Sequence, residues 1–69
     1  MKFSDKVKYL REKKGMTQEE LAKLTNVSQV AIHAYENGKA KPLRNTQIQL
    51  AKILRIDVDI LMDDGQDIL

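Results

Sequence analysis

TQEELAKLTNVSQVAIHAYENG, residues Thr17 to Gly38, reads as two short helices joined by a tight turn. Thr17-Gln18-Glu19-Glu20 is a capping box, in which the threonine hydroxyl and Glu20 each satisfy an orphan backbone N–H. Leu21 and Leu24 supply apolar contacts, and Ala22 is small enough for another helix to approach closely. Thr25, Asn26 and Val27 form the turn. Asn26 falls where the chain needs a left-handed conformation, which asparagine tolerates better than most non-glycine residues. Val27 is expected to plug the space between the two helices. Ser28 caps the second helix of the pair, about Gln29 to Glu36, and Asn37-Gly38 closes it. Ala31, Ile32 and Tyr35 share its inner face. Ser28, Gln29, Val30, His33, Ala34 and Asn37 are left outward, with burial against the preceding helix as the alternative for Val30. That front carries no acid and no Lys or Arg, whereas a merely solvated helix face usually carries Glu and Lys.

The flanks read as packing partners for this pair, since short helices are marginal alone. Phe3, Val7 and Leu10 fall at i, i+4 and i+7, one apolar stripe on a helix from about Ser4 to Lys14. Ser4 is its expected N-cap and Gly15 its end. Met16 is expected beneath the following loop, Arg11 drawn partly inward, and Tyr9 half-exposed. Lys39-Ala40-Lys41-Pro42 is a basic loop. A fourth helix is expected over about Asn45 to Leu54 with Ile48 and Ala51 inward, and Leu50 and Leu54 as further inward candidates. Asp57 caps a last short helix, Val58 to Met62. The organisation expected is one all-α domain over residues 1–62 and a mobile acidic tail over residues 63–69.

Composition limits the function classes. Sixty-nine residues allow one small domain, and chains of this size bury only about 60% of their unfolded surface. With no cysteine and one histidine, disulfides and cysteine- or histidine-rich metal sites are excluded, and no cofactor is expected. No apolar run approaches the roughly 18 residues of a membrane span, so the expectation is a soluble cytoplasmic domain without membrane contact. Charge is divided along the chain. Residues 1–55 hold all 12 Lys and Arg against five acids, a balance of +7, and residues 56–69 hold five aspartates and no base. A basic body suits a polyanionic partner such as nucleic acid, and solvated lysines are the plainer alternative. Asp57, Asp59, Asp63 and Asp64 have no base, nucleophile or ligand partner, so the chain is not read as an enzyme.

In this order and spacing, the markers resemble the helix-turn-helix family of phage Cro and cI-type repressors, also called the XRE family. They are Leu10-Arg11, Gly15 to Ala22, Val27-Ser28, Ile32, Tyr35 to Gly38, Pro42, Leu50-Ala51 and Ile56-Asp57-Val58. The resemblance runs from Phe3 to about Met62 and implies a lambda-repressor-like bundle of five helices, with the helix-turn-helix at about residues 18–36. It also implies a salt bridge between Arg11 and Glu36, and a glutamine pair in which Gln18 buttresses Gln29 and offers its amide to phosphate. Three departures stand out. Asn26 and Arg55 occupy common glycine positions, and Leu43-Arg44 inverts the usual small-then-leucine order after Pro42.

One α-helix fits a DNA major groove, where each base pair presents its own pattern of donors, acceptors and thymine methyls. Gln29 suits bidentate bonding to adenine, Val30 a thymine methyl, His33 a base edge or phosphate, and Ser28 completes the base-reading set. Thr17, Gln18, Asn37, Lys39, Lys41 and Arg44 are the phosphate candidates, with Arg44 directed toward the minor groove. Val58, Ile60, Leu61 and Met62 are more apolar side chains than so short a segment can bury, which marks them for a homodimer surface. The expected function is sequence-specific binding of double-stranded DNA as a transcriptional regulator, a homodimeric repressor on a palindrome. The alternatives are an antitoxin-like module with a protein partner and a restriction–modification controller. The short stretch after Met62 speaks against the antitoxin.

Overall fold

The computed structural model describes all 69 residues and holds five helices: α1 (Phe3–Lys13), α2 (Gln18–Thr25), α3 (Gln29–Glu36), α4 (Arg44–Leu54) and α5 (Val58–Met62). No helix is long and apolar enough to cross a membrane. Four residues with positive φ stop the first four helices: Gly15, Asn26, Gly38 and Arg55. Each allows the next amide to fold back on the last turn. Met16 N–H reaches Arg11 O at 3.1 Å, Val27 N–H reaches Ala22 O at 3.0 Å, Lys39 N–H reaches Ala34 O at 2.9 Å and Ile56 N–H reaches Ala51 O at 3.0 Å. This six-to-one return is the Schellman closure, and an apolar residue commonly follows it into the core. Met16, Val27 and Ile56 do so. After α3 the same position is Lys39, which is exposed.

Three of the five helix starts are capped by the side chain of their own N-cap residue. Thr17 and Glu20 form the reciprocal capping box of α2 at 3.0 and 2.9 Å. Ser28 Oγ accepts the Ala31 amide at 3.0 Å, and Asp57 Oδ1 accepts the Asp59 amide at 2.8 Å. The expectation for α1 is corrected: it begins at Phe3 and not Ser4, and Lys2 stands at its N-cap with no capping side chain. The acceptor comes from the far end of the chain, where Asp64 Oδ1 takes the Phe3 amide at 2.8 Å. The acidic C-terminal segment is therefore tied down at that point and is not free there. α4 begins one residue earlier than expected, at Arg44.

The core is Phe3, Val7, Leu21, Ala22, Ile32, Leu50, Ala51, Leu54 and Leu61. α1 packs on α3, α4 and α5, and α2 packs on α3 and α4. Phe3 meets Tyr35 edge to face at 6.2 Å between ring centroids. Three apolar expectations are corrected. Leu24 is 52% exposed and Ile48 44% exposed, while Leu61, expected at a partner surface, is wholly buried. The reason is register. Thr25 ends α2 facing inward, where its hydroxyl bonds to Leu21 O at 2.7 Å, and this turns Leu24 out. In α4 the inner face follows Leu50 and Ala51 and then Leu54, one helical turn on, and Ile48 lies off it. In α5, Leu61 is the residue that closes the core over α1.

Lys6, a charged residue within the apolar stripe of α1, is fully buried. It lies three residues from Phe3 and four from Leu10, on the apolar face of α1. Its ammonium donates to Ile60 O at 2.6 Å and to Asp63 O at 2.5 Å. These carbonyls belong to the end of α5, which lacks a left-handed closure, so a cation from α1 does the work of a cap.

Candidate nucleic-acid interface

The front of α3 is presented by what lies behind it. Ile32 is fully buried and Glu36 nearly so, which fixes the helix's rotation. Glu36 accepts from Arg11 Nε at 2.6 Å and from Arg11 Nη2 at 3.0 Å, a bidentate pair between α1 and the end of α3. Arg11 Nη1 donates to Met16 O at 2.7 Å, so the loop before α2 is held by the same guanidinium. The hydrogen bonds that Arg11 donates to Glu36, and then the charge of that carboxylate, push the Arg11 pKa up despite burial. No buried polar side-chain atom lacks a partner.

With that face inward, Ser28, Gln29, Val30, His33 and Asn37 are exposed. Val30 is 79% exposed, which rules out its alternative place against α2. Gln18, Gln29, Val30 and His33 line one open depression. The glutamine pair implied by the family pattern is not made: Gln18 Nε2 turns to Glu36 Oε1 at 3.1 Å. Gln18 thus buttresses α3 through the salt bridge and leaves the Gln29 carboxamide unengaged. Ser28 Oγ is taken as an acceptor by its cap, which leaves its O–H to donate. Asn37 donates to His33 O at 2.8 Å and so closes α3, with one amide hydrogen to spare.

The cations fall into two groups. Lys39 is exposed and takes part in no ion pair. Lys41 is exposed but lies 3.3 Å from Asp64 Oδ2. Arg44 sits in the first turn of α4, 3.8 Å from Asp59 Oδ1 and 3.4 Å from Gln47 Oε1. Thr17 is exposed at the start of α2, whose first amides have no intrahelical acceptor. Lys8 is a further cation beside this face. It is exposed and lines a polar groove with Arg11, Gln18, His33 and Asn37. Its position is legible in the sequence, because Lys8 stands three residues before Arg11 on the same face of α1.

At the opposite end, Val58, Ile60 and Met62 are half-buried. Leu61 is not available to a partner.

Two short helices, α2 and α3, joined by a tight turn and packed on each other over one core are the helix-turn-helix arrangement. A helix-turn-helix family model, HTH_3, matches residues 7–61. The chain is 38% identical over 65 residues to an uncharacterised HTH-type transcriptional regulator of Methanocaldococcus jannaschii, covering 90% of this chain and 98% of that protein. It is 33% identical over 69 residues to the HTH-type transcriptional activator BcrR of Enterococcus faecalis. It spans about a third of BcrR's length and about half that of two Bacillus subtilis regulators it matches. Its fold superposes on the P22 c2 repressor in complex with a synthetic operator, with a TM-score of 0.89 at 27% identity over 91% of this chain and 96% of that one. The restriction–modification controller C.AhdI of Aeromonas hydrophila gives 0.79 at 28% identity, covering 87% of this chain and 91% of the controller. The chain belongs to the XRE-type helix-turn-helix family, with the lambda-repressor-like fold.

Proposed function

We propose that this chain binds double-stranded DNA sequence-specifically as a transcriptional repressor, with α3 in the major groove and two copies on a palindrome. The observation that carries the reading is the front of α3. It is fixed in rotation by Ile32 and the Arg11–Glu36 pair, and it offers unengaged Gln29, Val30 and His33 to the outside. Gln29 can bond adenine N6 and N7 together, and Val30 matches a thymine methyl. Ser28 and His33 donate to neighbouring base edges. Phosphates are gripped by the Thr17 hydroxyl, the Gln18 amide at the start of α2, Asn37, Lys39 and Lys8. Arg44 joins them on releasing Asp59. The likeness to an operator-bound repressor supports binding to operator DNA.

The dimer surface is assigned to Val58, Ile60 and Met62, without Leu61. The domain measures 27 × 24 × 20 Å. Half-sites one turn apart lie about 34 Å from centre to centre, so reading two of them requires two copies.

In-vitro selection from random duplex DNA, repeated with Gln29→Ala, tests the reading. The native chain is expected to enrich a palindrome. The variant is expected to lose preference at one adenine per half-site, a discrimination of about 1–3 kcal/mol. Failure of the native chain to enrich any sequence overturns specific binding.

A further inference from the structure

Asp64 joins two places far apart in sequence. Its Oδ1 accepts the Phe3 amide at 2.8 Å and its Oδ2 lies 3.3 Å from Lys41 Nζ. The first contact supplies the cap that Lys2 does not, and a carboxylate at a helix N-terminus is favourably placed. The second takes one cation from the loop that follows the recognition helix. Lys39, two residues earlier, has no such partner. The two sides of the pair differ in freedom. The backbone around Asp64 is held by the buried Lys6 ammonium on Asp63 O, and its carboxylate is held by the α1 amide. Lys41 has no other hydrogen bond, and its side chain is 61% exposed on an open groove between α1 and the residue 37–41 loop. The anion is therefore anchored and the cation can swing. Phe3's amide, and then Lys41, hold the Asp64 carboxyl below the usual aspartate range, which keeps it charged at neutral pH.

We propose that Asp64 is an internal counter-anion for Lys41, competing with DNA phosphate for that ammonium and so reducing the salt-dependent grip of the basic loop. The inference rests on the DNA-binding reading above. When Lys41 leaves Asp64 for a phosphate, the cation released from the DNA is offset by one drawn to the freed carboxylate, so Lys41 adds little to the salt slope while Asp64 is present.

The test is fluorescence anisotropy with duplex DNA over a salt series, using the full chain, Asp64→Asn, Lys41→Ala, Lys39→Ala and the double variant of Asp64 and Lys41. Asparagine keeps a carbonyl oxygen for the Phe3 amide, and melting is followed alongside. Asp64→Asn is expected to tighten binding at low salt by roughly 1.5- to 5-fold, the range of an exposed ion pair. Its log–log salt slope is expected to steepen by up to about 0.9. The gain should vanish when Lys41 is also alanine, and Lys41→Ala alone should weaken binding less than Lys39→Ala. A folded Asp64→Asn chain with native affinity and slope overturns the proposal, as does a gain that survives without Lys41. If Asp64→Asn does not fold, the two single lysine variants decide, and equal losses overturn it. If the native chain binds no duplex even at low salt, the DNA-binding reading itself has failed and takes this inference with it.

Discussion

Glu36 receives three hydrogen bonds in a nearly dry site, two from Arg11 and one from Gln18. Removing one partner of such a pair strands the other charge, at a cost of about 3–5 kcal/mol. A domain of this length holds roughly 3–10 kcal/mol in total. Glu36→Ala is therefore expected to lose most of its thermal transition and its DNA binding together. An unchanged melting curve would show that the pair does not hold α3. Arg55 is the opposite case. It adopts a left-handed conformation at φ 57°, which costs an L-residue about 1–2 kcal/mol. Glycine removes that cost but adds freedom to the unfolded chain, roughly 0.5–1 kcal/mol. Arg55→Gly should raise the denaturant midpoint by the difference, about 0.5–1 kcal/mol, and a lowered midpoint would contradict the cap geometry. Asp64 gives a pH prediction. Its folded pKa lies below its unfolded value, so its contribution is complete above about 3.9 and is lost as pH falls through the lower folded value. Carbon-detected NMR titration should find its carboxyl titrating below that of a free aspartate, and an ordinary value would remove the α1 cap.

At the scale of elements, α5 is the least self-sufficient. It has five residues, and its end is closed by a lysine from α1. Lys6→Met keeps much of the volume but removes the ammonium from the Ile60 and Asp63 carbonyls, leaving each with one backbone amide, at 3.3 and 3.1 Å, a loss of about 1.5–3 kcal/mol for hydrogen bonds from a charged donor. Hydrogen exchange should accelerate first at the α5 amides, before those of α2 and α3. Uniform acceleration across the helices would mean that Lys6 holds the whole core and not one element. The same scale explains where sequence periodicity misled. Leu24 and Ile48 are hydrophobic and read as inward, yet the face of α2 runs through Thr25, and that of α4 through Ala51, Leu50 and Leu54, which the sequence also offers. Thr25 takes a core position because its hydroxyl can bond to its own helix. Lys6 escaped notice for the mirror reason: a charged residue on an apolar stripe reads as an interruption until its acceptors are known.

For the whole molecule, the sequence-level balance of +7 over residues 1–55 overstates the free basic surface. Lys6 and Arg11 are buried, and Lys23, Lys41 and Arg44 face carboxylates within 4 Å. Sedimentation with a palindromic duplex is expected to give two chains per site, and Met62→Asp should reduce this to one while leaving the monomer folded. One chain per palindrome in the native protein would refute the assigned partner surface.

Much of this protein was decided locally. The capping box at Thr17, the cap at Ser28 and the left-handed closures at Gly15, Asn26 and Gly38 depend on residues within one turn of each other. The sequence alone therefore determined the number of helices, the helix-turn-helix and the uncharged front of α3. What only the tertiary structure decided are contacts between residues far apart in the chain. Asp64 closing α1 and pairing Lys41, Lys6 closing α5, Gln18 turning to Glu36 and Leu61 sinking into the core all depend on where separate helices meet. Side-chain periodicity records which face of a helix is apolar, but it carries no information about which distant donor or acceptor will be waiting there.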